Sequence, residues 1–142
     1  MKPETNSPPL SKILKAGNTY LGELFLSLTM LGWAILLFAP WWDVFDSSPS
    51  YNVLSGLLPE WMWGIVLLSI SLFWIVNIVR LNDTIRGYCS LISSFFWVIV
   101  TMNFVLTASI PTGVVAYGLM ALLSSVIYLK ITRKYLNERL EL

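Results

Sequence analysis

Four segments of this 142-residue chain are long and apolar enough to cross a bilayer, and all nine of its Lys and Arg residues lie on one side of those crossings. Lys2, Lys12 and Lys15 precede the first segment. Arg80 and Arg86 lie between the second and third, and Lys130, Arg133, Lys134 and Arg139 follow the fourth. Cationic residues near span ends resist translocation, so this partition predicts four crossings with both termini in the cytoplasm.

A helix rises about 1.5 Å per residue and the hydrocarbon slab is about 30 Å thick, so a crossing takes about twenty mostly apolar residues. The expected spans are 21–39, 61–79, 88–110 and 112–129, with a cytoplasmic segment over 1–20, an outer loop over 40–60 and a charged cytoplasmic tail over 130–142. Backbone N–H groups in lipid must be bonded internally, which makes each span a helix. The short connections at Arg80–Gly87 and around Pro111 make sequential spans antiparallel neighbours. The predicted fold is therefore all-α, a polytopic membrane protein with four transmembrane helices in an up-down bundle, N-in and C-in. A hydrophobic content of 56% with only 12% charged residues agrees with that class and lies outside the soluble globular range. The lipid bilayer is the first partner implied, and no basic run is dense enough to suggest nucleic acid.

Boundary residues support the same orientation. Trp41, Trp42, Trp61 and Trp63 cluster where the first hairpin meets the outer interface, and Tyr20, Tyr88 and Tyr128 mark the inner one, because amphipathic rings prefer headgroup depth. In the loop, Asp46 to Ser50 reads as a turn and Tyr51 to Leu58 as a short helix lying on the membrane. Leu10, Ile13 and Leu14 share one face opposite Lys12 and Lys15, the pattern of an interfacial helix before the first span.

Polar residues within the spans are the candidates for function. Glu23 sits about one turn inside the first span, and two readings stand: a carboxylate reaching the interface near Lys15 or Arg86, or a proton or ion site. Asn77 and Asn103 need hydrogen-bond partners, which another helix or a substrate would supply. Ser94, Trp97 and Thr101 continue a stripe from Ser90 at helical spacing, marking the protein-facing side of the third span. Ala121 and Ser125 form a small-xxx-small pair on the fourth, suited to close approach of a helix from the same bundle or from a second copy.

The chain contains no histidine and one cysteine, Cys89. His-containing zinc sites, His-ligated haem, thiolate clusters and His-activated nucleophiles are thereby excluded. Asp43, Asp46 and Glu60 carry no recognisable catalytic spacing and read as solvated loop charges. No catalytic residue, metal ligand or cofactor is expected. Cys89 reads as a packing residue, with acylation as the alternative.

Three phrases resemble small four-span membrane proteins of tailed bacteriophages and prophages: Pro59-Glu60-Trp61-Met62-Trp63-Gly64, Ser93-Ser94-Phe95-Phe96-Trp97, and Pro111-Thr112-Gly113 followed by Tyr117. The resemblance covers about the C-terminal two thirds of the chain, and it implies a phage origin with the host inner membrane as destination. The function expected is non-enzymatic, through helix association or contacts with other membrane proteins, as a holin-like assembly, a superinfection-exclusion factor or an adaptor. The alternative is a small oligomeric channel or transporter, with Glu23, Asn77 and Thr101 as its polar lining.

Overall fold

The computed structural model describes residues 18–40, 43–46, 49–107 and 111–140. The expected interfacial helix near Leu10 to Lys15 and the interface anchors Trp41 and Trp42 lie outside the described residues. So do Ser47 and Ser48 of the turn expected over Asp46 to Ser50. Among the described residues there are five α-helices: α1 (Asn18–Leu37), the short α2 (Asn52–Leu57), α3 (Glu60–Val79), α4 (Asp83–Leu106) and α5 (Pro111–Leu140). A single 3-10 turn, Pro49–Tyr51, leads into α2, and no strand occurs among the described residues. The four long helices each carry a stretch apolar enough to cross a membrane.

The helices form a ring in chain order. The most extensive contacts join α1 to α3 and α4 to α5; smaller ones join α3 to α4 and α1 to α5. Alpha-helical spacing explains which residues face inward. On α1 the buried positions are Glu23, Leu26, Ser27, Met30, Ala34 and Leu37, which share one helical face, and α3, in extensive contact with α1, buries Leu67, Ser71, Trp74 and Ile78. The outward faces carry large apolar side chains such as Phe25, Ile35, Phe73 and Phe95, each about half exposed or more, which suits contact with acyl chains.

Ser and Thr hydroxyls in these spans are satisfied largely by their own helices. Ser27 donates to the Leu24 carbonyl, Thr29 to Phe25, Ser69 to Ile65 and Ser71 to Leu68. Bonds to carbonyls three or four residues back remove the cost of a bare hydroxyl in lipid. Small buried residues then let the helices approach. A Cβ at Gly113 would stand 2.6 Å from the Phe104 ring, so α5 begins in close contact with the end of α4.

Element boundaries differ from the expected ones in an informative way. The third helix starts at Asp83, five residues before the expected 88, because Asn82 caps it: its side-chain oxygen accepts from the Ile85 N–H at 3.3 Å. The α3–α4 connection is thus only Arg80 to Asn82. Within it the Leu81 N–H bonds to the Ile78 carbonyl and the Asn82 N–H to the Asn77 carbonyl, the double closure of a Schellman C-cap. Leu81 takes the left-handed conformation at φ 57°, where glycine is usual. Arg86, expected in the loop, is carried into the helix and buried. At the other end α4 stops at Leu106, short of the expected 110. The fourth helix starts on Pro111 as its first residue, where a missing N–H costs nothing, and continues through the charged tail. Its 30 residues amount to about 45 Å, well beyond one hydrocarbon thickness.

Candidate functional site

The end of the bundle that holds the start of α1, the α3–α4 turn and the last third of α5 carries a connected group of charges. Arg86 is only 2% exposed and Glu23 is fully buried. The guanidinium grips the Glu23 carboxylate with two bonds, Nη2 to Oε1 and Nε to Oε2, the latter 2.8 Å long. Trp74 on α3 donates its indole N–H to the same Oε2 at 3.4 Å. Arg86 Nη1 donates to Asp83 one turn earlier and to the Tyr20 hydroxyl at 3.2 Å, and its guanidinium carbon lies 4.1 Å from the Tyr20 ring centroid. Lys134 of α5 reaches the other Asp83 oxygen at 2.6 Å. All four long helices therefore contribute to one network.

This arrangement keeps Arg86 as the neighbour of Glu23 but moves the pair away from the interface. The Glu23 carboxylate turns into the bundle rather than snorkelling to the interface, and a fork of guanidinium N–H groups compensates its charge. Every group in the centre has a partner, which is the condition under which buried charge is tolerated. The sequence singles out Glu23 and names Arg86 beside it, but as a loop cation at the interface. Asp83, Trp74 and Tyr20 were not recognised as its neighbours, because the contacts span the bundle and no local spacing signals them.

Between α4 and α5 the interface is lined with hydroxyls. Ser90 donates to the Ser124 carbonyl at 2.7 Å, Ser93 and Ser124 hydroxyls are 3.1 Å apart, and Ser94 and Ser125 hydroxyls 2.7 Å apart. Ser94 also donates to the Ala121 carbonyl at 3.4 Å. The stripe on the third span and the small-xxx-small pair on the fourth thus meet each other within one chain. Ser93 and Ser124, equally central, lie outside both sequence patterns. Cys89 is 3% exposed among these residues and packs in the core, away from any acyl-transfer chemistry at the surface.

The loop end is closed by aromatic packing. Trp97 stacks on Tyr117 with centroids 5.6 Å apart and an interplanar angle of 8°, and Trp33 stands edge-on to both. Tyr51 joins the cluster from the loop, edge-on to Trp33 and Phe104. Burial pushes its phenol above the ordinary range, with a hydrogen bond to Tyr117 opposing the shift. The Trp97 indole N–H, fully buried, meets no hydrogen-bond acceptor among the described residues.

The loop itself is folded inward. Helix α2 packs on the bundle through one face: Leu54 is 2% exposed, the Val53 N–H donates to Asn103 Oδ1 at 3.3 Å, and the Trp63 indole donates to the Leu54 carbonyl at 3.0 Å. Asn103 therefore binds the loop. Trp63 is turned inward, whereas Trp61 remains 55% exposed as an interface residue would. Glu60, read from the sequence as a solvated loop charge, accepts from the Val44 and Phe45 N–H groups at 3.1 and 3.2 Å and ties the loop back to the start of α3.

The remaining candidates do not converge. Asn77 donates to the Phe73 carbonyl of its own helix at 2.7 Å, and Thr101 to the Trp97 carbonyl at 2.7 Å. Comparison with protein-family models, curated proteins and solved structures finds no match to this chain.

Proposed function

We propose that this chain is a non-enzymatic integral protein of the phage type, resident in the host inner membrane with both termini cytoplasmic. It acts through its outer surfaces, by helix association or by contact with other membrane proteins. The observation that carries the reading is the filled interior of the bundle. At one end Glu23 is neutralised by Arg86. At the other the axis is occupied by Trp33, Trp97, Tyr117 and Phe104, with Leu54 of the loop packed into the same core.

A conducting pathway needs polar groups converging on a wet axis. Here Glu23 is committed to a guanidinium, and the side-chain donors of Asn77 and Thr101 are committed to their own helices. That favours contact function over a channel in a single copy. The charge partition supports the orientation, and the phrases Pro59 to Gly64, Ser93 to Trp97 and Pro111 to Gly113 support the origin. Among the three contact mechanisms, a bundle whose buried charges are paired within one chain suits an adaptor or exclusion role better than a holin, whose assembly must open the membrane.

Controlled expression in bacteria, with membrane potential and culture density followed together, tests the reading. The expected result is growth without depolarisation, combined with resistance to DNA entry by a second phage or with recovery of a defined membrane partner. Abrupt depolarisation with lysis would assign holin-like assembly instead, and ion-selective current without lysis would assign a channel.

A further inference from the structure

We propose that the bundle is two rigid hairpins, α1 with α3 and α4 with α5, and that the seam between them opens at its α1–α5 corner, with the Glu23–Arg86 pair as the clasp. The extensive helix contacts lie within the hairpins and the smaller ones across the seam. Small residues and hydroxyls close each hairpin: Gly64 packs on Phe38, Gly113 on Phe104, and Ser90 and Ser93 bond to Ser124. Across the seam ring-sized side chains meet instead. Trp33 stands edge-on to Trp97 and Tyr117, with centroids 6.3 and 5.6 Å away, and Trp63 is tilted on Phe96 at 5.9 Å.

Two ties hold the seam away from that corner. At the charged end α3 runs into α4 through Arg80 to Asn82. At the other end the loop of the first hairpin reaches the second: the Val53 N–H donates to Asn103 Oδ1, and Tyr51 stands edge-on to Phe104 at 5.5 Å. The α1–α5 corner at the charged end is closed by side chains. Gly22 lies against α5, where a Cβ would stand 2.9 Å from Ile127 Cδ1, and Arg86 binds Glu23 and Tyr20.

The charges are sorted so that the clasp can part. Arg86 also donates to Asp83 on its own helix, and Asp83 binds Lys134 of α5, so the second hairpin keeps a carboxylate for its guanidinium. Glu23 accepts from Trp74 of α3, so the first hairpin keeps a donor for its carboxylate. Separating a buried pair is prohibitive when it strands two bare charges. Here each side leaves with a partner, and both residues lie within the first two turns of their helices, so water follows when the corner parts. Opening of one part while the rest stays folded is the behaviour of a sub-global unit. The inference rests on packing and is independent of the protein's origin and mode of action.

The sole cysteine reports the opening. Cys89 is buried and follows Arg86 by three residues, on the same face of α4. The test uses the full chain in mild detergent, with maleimide reaction at Cys89 and hydrogen exchange within both hairpins followed in rising denaturant. Cys89 should react through an opening whose denaturant slope is about half or less of that for exchange inside the hairpins, because little surface is exposed. Gly22→Leu wedges the corner and should speed the reaction about tenfold, equivalent to about 1.4 kcal/mol of lost closure, with exchange inside α4 and α5 unchanged. The denaturant series on the parent chain carries the test if that variant fails to fold. Equal slopes for labelling and exchange would overturn the proposal. So would unchanged labelling in a folded Gly22→Leu protein, or labelling that rises only together with exchange throughout both hairpins.

Discussion

Glu23 and Arg86, separated by 63 positions in the chain, meet through two hydrogen bonds across the diagonal of the bundle, on helices α1 and α4 that otherwise share little contact. A diagonal pair fixes the depth of one helix against another in a way that apolar packing does not, because sliding by a turn would strand a charge in the interior. Burial makes the bond directional and makes its loss costly.

Breaking that pair from one side should be severe. Glu23→Gln removes the compensating charge and one of the two acceptor oxygens facing the guanidinium, and the expected loss is about 3–5 kcal/mol of stability, the range for one uncompensated partner of a buried pair. Replacing both partners, as in Glu23→Leu with Arg86→Met, should recover most of it. Accumulation in membranes and melting in detergent give the readout; a Glu23→Gln protein as stable as the parent would remove the pair from any structural role.

The two close glycine contacts should respond differently. A Cβ at Gly113 meets the buried Phe104 ring at 2.6 and 2.7 Å, whereas at Gly64 it meets the Phe38 ring at 3.0–3.2 Å, and Phe38 is 42% exposed and free to swing. Gly113→Ala should cost about 1–3 kcal/mol through overpacking, and Gly64→Ala clearly less. Adding Phe104→Leu should relieve the first. Equal melting temperatures for the two alanine variants would contradict the packing described.

Asn103→Ala should loosen the loop without unfolding the spans. The Val53 N–H would lose its acceptor, at a cost of about 1–3 kcal/mol for a polar group left unpaired away from water. Hydrogen exchange at Asn52 to Leu57 should accelerate while exchange in α4 and α5 stays slow; uniform acceleration across the molecule would show that the loop is part of the global unit.

Alkaline pH should act through Tyr51. Its phenol is raised by burial, so the folded state favours the neutral form; that stability is complete below the ordinary tyrosine pKa of about 10 and is lost as pH rises through the folded value. Between about pH 9 and 11 the melting temperature of the parent should fall further than that of Tyr51→Phe. Parallel curves would exclude the contribution.

Placing several lysines in the segment 47–50 should disturb insertion, since the loop carries no cation in the native chain. Topology reporters fused to each end give the answer, and unchanged orientation with unchanged yield would count against the charge rule as the determinant here.

The sequence by itself determined the class of fold. Runs of apolar residues about twenty long leave only helices in a bilayer, and short connections at Arg80 and Pro111 leave only an antiparallel order; both follow from local composition and need no knowledge of neighbours. It also identified the Ser94, Trp97 and Thr101 face and the Ala121 and Ser125 pair as contact surfaces, because a helix repeats every 3.6 residues. Tertiary structure alone decided what those surfaces meet. The helix start at Asp83 turns Arg86 from a loop cation into the partner of Glu23. The inward fold of α2 gives Asn103 a backbone N–H to bind and turns Trp63 away from the interface. The difference is physical: burial and helix propensity are summed along the chain, whereas a hydrogen bond depends on which side chain arrives opposite once the helices have packed.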